Sequence, residues 1–296
     1  MRPVDRIDGT GANAINGEVV VDVPKAVWNL GMILLAVLLA PFYFSFDALF
    51  LFAIVTYVSL LVGHSAGMHR LMIHCSYQGV PWLERLLIYV GVIVGMSGPL
   101  GIIKIHDLRD WAQRQESCHP FFSHERSYLT DIWWQLTSKF VFTDPPSINI
   151  EPKYSAAKFY TFLENTWRWH QLVLALVLFA LGGIPFVVWG IFVRVAVSIV
   201  GHWTITYFCH NPGSGRWRVK NAAVQASNIP GLGLITYGEC WHNNHHAFPE
   251  SAQIGLEKGQ SDPTWRFIQL LNYFGFVSEV GKPRSECSRE DLYHVG

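Results

Sequence analysis

The sequence predicts an all-α integral membrane protein, with four transmembrane helices in two hairpins and a cytoplasmic helical cap that carries histidine clusters. Three observations predict it. Half of the 296 residues are hydrophobic and 15% are charged, against roughly a quarter charged in soluble domains. Two apolar runs, 27–63 and 172–208, hold one charged residue each, Asp47 and Arg194. The basic residues avoid the turns within both runs, whereas the stretch from His64 to His170 holds ten of them.

The elements follow in order. Residues 1–26 form an N-terminal tail with Arg2, Arg6 and Lys25 and no apolar core ahead of a cleavage site, so it reads as no signal peptide. Residues 27–63 form the first hairpin, divided by "PFYFSFD" at 41–47. Each half has ~17–18 residues, the short end of what crosses a hydrocarbon core. A pair of re-entrant segments is the alternative. Residues 64–170 form a central segment. Its apolar stretch 82–104 is punctuated by Gly95, Gly98, Pro99 and Gly101. It reads as an in-plane helix, because a fifth crossing would put its two histidine-bearing flanks on opposite sides. The proline-rich 144–152 reads as a loop. Residues 171–208 form the second hairpin, broken by "GGIP" at 182–185, and 209–296 a C-terminal segment with eight basic residues. The positive-inside bias puts both tails and the central segment in the cytoplasm.

Net charge is zero, which excludes a basic nucleic-acid surface. Five cysteines without a C-x-x-C pair give no disulfide framework.

The 13 histidines are clustered. His64, His69 and His74 follow the first hairpin. His106, His119 and His124 lie in the central segment. His202 and His210 close the second hairpin, and His242, His245 and His246 stand in "HNNHHAFP"; His170 and His294 stand apart. Every cluster falls on the predicted cytoplasmic side. Neutral imidazole is the commonest metal ligand. On a helix His242, His245 and His246 share one face, able to hold one metal or bridge two. His69 and His74 are about 140° apart on an α-helix, which suits a helix end or a pair of metals. His64, His202, His106 and His124 also read as interfacial polar residues.

These stretches resemble the membrane-bound acyl-lipid and acyl-CoA desaturase family, whose three histidine boxes surround a di-iron centre. "HRLMIH" (His69, His74) resembles the first box, and "HNNHHAFP", preceded by Gly238 and Glu239, the third. His210 falls where the family has a further ligand. The middle box, an H-x-x-H-H pattern opening on Trp-Ala, departs: placed from Trp111 and Ala112, its three positions become Gln115, Cys118 and His119. The resemblance implies metal ligands at His69, His74, His119, His210, His242, His245 and His246. Replacement ligands are sought at His106 and His124, then Glu116, which forms a Glu-x-x-His pair with His119 as in soluble di-iron bundles. Cys118 ranks last because a thiolate beside an oxygen-activating iron is oxidised.

No side chain is basic enough to deprotonate an alkane carbon, so desaturation needs iron and O2. The resemblance therefore implies an oxidoreductase acting on an acyl-CoA or acyl-lipid in the membrane. Electrons would come from an external ferredoxin- or cytochrome b5-like donor, since the chain shows no haem or flavin motif. "DLRDWAQR" (107–114) and "GRWRVK" (215–220) are candidates for the mouth that holds a polar head group. A lipid hydroxylase on the same centre, and a degenerate non-enzymatic metal-binding homologue, remain as alternatives.

Overall fold

Asp22 sets the start of the first apolar helix, α1 (Val23–Leu39). Its carboxylate accepts from the Lys25 amide at 3.2 Å, and Pro24 sits in the first turn, where a missing N–H costs nothing. In this computed structural model, which describes residues 5–283 and 290–295, a turn leads from α1 to Ser45. Arg2, Arg284, Arg289 and Cys287 lie outside those residues. The Ser45 hydroxyl caps α2 (Phe46–Val58), a contribution of ~1 kcal/mol.

The helix does not end near residue 63. It winds on as a π-helix, Ser59–Ile73, carrying the first histidine stretch on the same continuous rod. Small residues allow a close neighbour there. A Cβ on Gly63 would lie 2.3 Å from the Gly91 amide nitrogen, and one on Gly67 2.6 Å from the Leu87 carbonyl oxygen. Helix α3 (Pro81–Ile93) therefore packs backbone-close along the π-helix. Together with α4 (Pro99–Gln113) it replaces the single in-plane helix expected at 82–104, with the break at Gly95, whose φ is +81°.

Short helices follow: α5 (Pro120–Ser123), α6 (Tyr128–Thr137), α7 (Pro152–Ser155) and α8 (Lys158–Thr166). The second apolar run comprises α9 (Trp169–Val187), a π-helical turn (Val188–Val193) and α10 (Arg194–Cys209). Gly182 and Gly183 leave helical geometry inside α9, just before Pro185, where the sequence placed a break. Among the described residues two helical stretches, Phe46–Ile73 and Trp169–Cys209, are long and apolar enough to cross a membrane, and α1 is a shorter apolar helix. Their large side chains, among them Val37, Phe50, Leu176 and Leu181, are exposed. Arg194, the one charge of that run, is fully buried. Its guanidinium donates to the carbonyls of Gly190 and Ile93 at 2.6 and 2.7 Å and to Gln171, satisfying backbone groups freed where α3 ends.

The C-terminal part holds α11 (His242–Ala247) and α12 (Pro263–Tyr273). Among the described residues four antiparallel two-stranded clips, absent from the all-α expectation, tie distant segments together. They are β1 (Ile7–Asp8) with β5 (Ser147–Ile148), β2 (Gly17–Val21) with β4 (Ser138–Phe142), β3 (Gln78–Gly79) with β7 (Val277–Ser278), and β6 (Trp217–Val219) with β8 (Leu292–His294). Strands this short leave almost no alternation in sequence, and β5 falls within the stretch read as loop. The main core lies against the histidine-bearing end of the long rod: Met68, Leu71 and Met72 pack on Leu83, Leu87, Ile88, Ile103 and Ile268.

Candidate metal centre

The π winding solves the spacing of the first histidine pair. Its i→i+5 hydrogen bonds stack residues five apart. The His74 amide donates to the His69 carbonyl at 3.0 Å. The two Nε2 atoms lie 3.2 Å apart, where an α-helix would splay them. His106 of α4 and His245 of α11 complete this group, with ring centroids 4.7 and 4.4 Å from that of His74. One nitrogen from each of His69, His74, His106 and His245 lies within 4.8 Å of the others.

A second group forms alongside it from His210, just past α10, and His242 and His246 of α11. The Nε2 atoms of His210 and His246 stand 3.2 and 3.1 Å from that of His242. The three histidines of α11 thus divide between two groups: His245 turns to the first, His242 and His246 to the second.

The intervening asparagines fix this helix. Asn243 accepts from the Trp217 amide at 3.0 Å and donates to the carbonyls of Trp217 and Ala226. Asn244 donates to the Ile254 carbonyl and to Gln260. Tyr237 and Gly238, at φ +60° and +98°, make the left-handed turn that delivers Glu239 beside His69. At Gly238 a Cβ would meet the Asp262 carboxylate.

The middle stretch is corrected by the structure. Helix α4 ends at Gln113, so residues 114–118 are turn rather than helix, and Glu116 and His119 never share a helical face. Glu116 is exposed. His119 is the cap of α5: its Nδ1 accepts from the Phe121 amide at 3.1 Å, and its ring packs on Phe140 at 4.6 Å. It joins neither group. Gln115 donates to the Trp111 carbonyl at 2.9 Å. Cys118 packs against an apolar cluster, and burial followed by the nearby Glu125 pushes its thiol up to about 12, which keeps it protonated. In place of these residues the site receives His106, two turns before the end of α4. His124 is fully buried, stacked on His210 at 5.2 Å with its Nδ1 3.0 Å from Asp131, and stands outside both groups. His64 and His202 meet edge to face at 5.2 Å.

The outer nitrogens settle what the inner ones offer. His69 Nδ1 lies 2.7 Å from a Glu239 carboxylate oxygen, and His210 Nδ1 2.8 Å from the Thr206 carbonyl oxygen. Each Nδ1 must donate to such an acceptor, which leaves Nε2 bare and facing another nitrogen. Converging lone pairs oriented by carboxylate and carbonyl acceptors are the donor set of a divalent metal. Burial and then neighbouring imidazoles hold His74, His242, His245 and His246 well below the usual histidine range, so they are neutral near pH 7. Burial alone would raise Glu239. His69 and Arg70 outweigh it and hold the carboxylate well below its usual range.

Comparison with known proteins agrees with this geometry. The family model described as "Fatty acid desaturase" matches residues 45–257. The chain belongs to the fatty acid desaturase family. It is accordingly an oxidoreductase, and the non-enzymatic alternative falls. Similar proteins include an acyl-CoA 5-desaturase of Anemone leveillei, 30% identical over 85% of this chain and 77% of that protein. An sn-2 palmitoyl-lipid 9-desaturase of Nostoc sp. (strain 36) is 32% identical over 82% and 85%. An icosanoyl-CoA 5-desaturase of Limnanthes douglasii is 30% identical over 92% and 75%.

Sequence reasoning missed the supports of this desaturase site. Arg70 is buried between Glu239 and Asp262, at 3.2 and 2.9 Å, and locks the first histidine stretch to the turn before the third. Arg6, read only as a topogenic charge, donates to Glu151, Asp107 and the carbonyls of Met72 and Ile73. Asp107 thus belongs to a structural network rather than to a substrate mouth, and Arg216 of the other proposed mouth pairs with Glu257 at 3.2 Å. Removing one partner of the buried Arg70–Asp262 pair costs roughly 3–5 kcal/mol, whereas the Arg216–Glu257 pair is exposed and contributes little. The available signal was the Arg70 position itself, a charge inside an otherwise apolar stretch.

Proposed function

We propose that this desaturase introduces a double bond into the acyl chain of an acyl-CoA or a membrane lipid, at an iron centre shared by two imidazole groups. His69, His74, His106 and His245 would hold one iron, and His210, His242 and His246 a second. The observation that carries the reading is the bridging of the two groups by α11, whose adjacent His245 and His246 face different neighbours. The relatives named as acyl-CoA and acyl-lipid desaturases support both substrate classes.

Bound iron with O2 supplies the oxidising power that no side chain possesses, because the substrate C–H bonds are unactivated. The protein's own groups do the rest. Glu239 keeps the His69 ring in one tautomer and orientation, and Thr206 does the same for His210. The buried setting of His69, His106, His210 and His245 excludes bulk water from the reacting centre. Residues 27–63 and 171–208 form four membrane spans in this reading, with 1–26, 64–170 and 209–296 on the cytoplasmic side. An apolar chain entering between the spans meets the imidazoles where the 46–73 rod and α10 leave the membrane. Electrons arrive from an external ferredoxin- or cytochrome b5-like carrier.

The test compares fatty acids from cells expressing the parent or His245→Ala, alongside iron in the purified proteins. A new unsaturated product and bound iron in the parent, both lost in the variant, are expected. A parent that binds no iron, or a variant with full product, would sink the assignment.

A further inference from the structure

Helix α1 presents an open groove beside the start of α9. Pro24, Val27, Trp28, Gly31, Met32 and Leu35 recur at three- and four-residue intervals, so they share one helix face. With Arg168 they line a cavity of about 480 Å³. It runs from Val23 to Leu35, about 18 Å along the helix axis. That is slightly more than half the ~30 Å hydrocarbon core, the depth of one leaflet. Gly31 makes a notch midway, where a Cβ would meet nothing within 4 Å. The floor is fixed: Met32 is buried in one cluster with Val195 and Ile199 of α10, and Trp28 Nε1 donates to the Gly95 carbonyl at 2.9 Å. The rim is open, with Val27 and Leu35 exposed.

Its single charged lining residue is Arg168, which immediately precedes α9. The guanidinium stacks on the Trp167 ring, 4.2 Å from its centroid, and lies 5.8 Å from that of Trp28. The two tryptophans brace each other edge to face at 5.4 Å. A guanidinium held by its faces keeps its edge N–H groups free for an oxyanion. Among the described residues Arg168 forms no ion pair, and its buried Nε has no acceptor. Two carboxylates are near enough for their charge to act on it, Asp22 and Glu164, and both are engaged elsewhere. Asp22 accepts from the Lys25 amide, and Glu164 from the amides of Leu100 and Gly101 at 2.8 and 2.9 Å. Beyond Arg168 the exposed Trp169, Leu172 and Val173 continue the apolar surface of α9.

We propose that this groove binds one anionic phospholipid of the cytoplasmic leaflet, its phosphate on Arg168 and an acyl chain along Trp28, Gly31 and Leu35. An apolar trough about one leaflet deep, with an unpaired cation on its cytoplasmic side, matches such an amphiphile at both ends. The guanidinium can pair bidentately with phosphate, which satisfies donors otherwise unused in a half-buried place. A second copy of this chain is the poorer match, since the one carboxylate of its apolar runs, Asp47, lies at the opposite end of the spans. The inference rests on the proposed membrane placement of α1 and α9, not on the iron assignment.

The experiment titrates the purified full-length protein in detergent with phosphatidylglycerol or phosphatidylcholine and reads bound lipid by native mass spectrometry. One phosphatidylglycerol per chain is expected, bound about tenfold or more tighter than phosphatidylcholine. Arg168→Gln should remove that preference, and Lys258→Gln, at an exposed position in the C-terminal segment, should keep it. Gly31→Trp, whose side chain enters open space, should lose the bound lipid while remaining folded by circular dichroism. Equal affinity for the two lipids in the parent, or an equal loss in Arg168→Gln and Lys258→Gln, would reduce the effect to general surface charge and overturn the inference. Retention of the lipid by Gly31→Trp would place it outside the groove and do the same. Displacement by glycerol phosphate at the lipid's own concentration would mark a bare phosphate site, and a dimer lost in Gly31→Trp would mark a protein interface; either overturns it. Because the parental preference alone can refute the idea, a poorly folding variant does not rescue it.

Discussion

Two stretches of this chain fall where histidine boxes are expected, "HNNHH" at 242–246 and "WAQRQESCH" at 111–119, and the fold uses them in opposite ways. The first is a six-residue helix whose asparagines grip the scaffold and whose histidines face two imidazole groups. The second is a helix end, a turn and a cap, and its single histidine holds a backbone amide and packs on an aromatic ring. A histidine becomes a ligand candidate when the backbone beneath it is held on both sides and its nitrogens are not already used. Spacing in the string is not enough.

Mutations can break or sharpen this contrast. The largest effect is expected at His242 and His245, one for each group. Alanine at either should abolish product, to below about 1% of the parent, while membrane insertion is retained, since the apolar spans hold their own backbone hydrogen bonds. Product formation in whole cells with fractionation of the protein checks both halves. Glu239→Gln should be milder. It keeps the shape but weakens the acceptor that orients His69, so iron affinity should fall about 10–100-fold. Titration of apoprotein with ferrous iron measures it, and an unchanged affinity would remove Glu239 from the site.

Asn243→Ala tests the scaffold half of the motif. It removes an acceptor for the Trp217 amide and two donated hydrogen bonds, and leaves buried carbonyls unpaired, costing roughly 1–3 kcal/mol. A lowered thermal midpoint with iron still bound in the folded protein is expected. At the small end, His119→Ala should keep iron content and stay within about twofold of parental activity, since only a capping contact worth ~1 kcal/mol is lost. Loss of iron in that variant would return His119 to the ligand set.

Apolar run lengths, the break at Gly182 and Gly183, and the three outer histidine stretches were legible in sequence, because burial in lipid and the recurrence of imidazoles leave local signatures. The middle of the site was legible in part: His106, sought first with His124 as a replacement ligand, joins the first group, whereas His124 and His119 do not, because nothing local says that α4 ends at Gln113 and leaves 114–118 outside any helix.

The sequence by itself determined the family, the enzymatic class and the chemical kind of ligand, because these follow from which residues are present and roughly how far apart they lie. Tertiary structure decided the rest. The π winding of 59–73, which joins His69 to His74, depends on glycines meeting α3 across the packing. The division of His245 from His242 and His246 depends on where α4 and α10 deliver His106 and His210. Arg6 and Arg70 became supports only when carboxylates far along the chain came within 3.2 Å of them. Such contacts carry no mark in the string, since the free energy that fixes them is released only when distant segments leave water together.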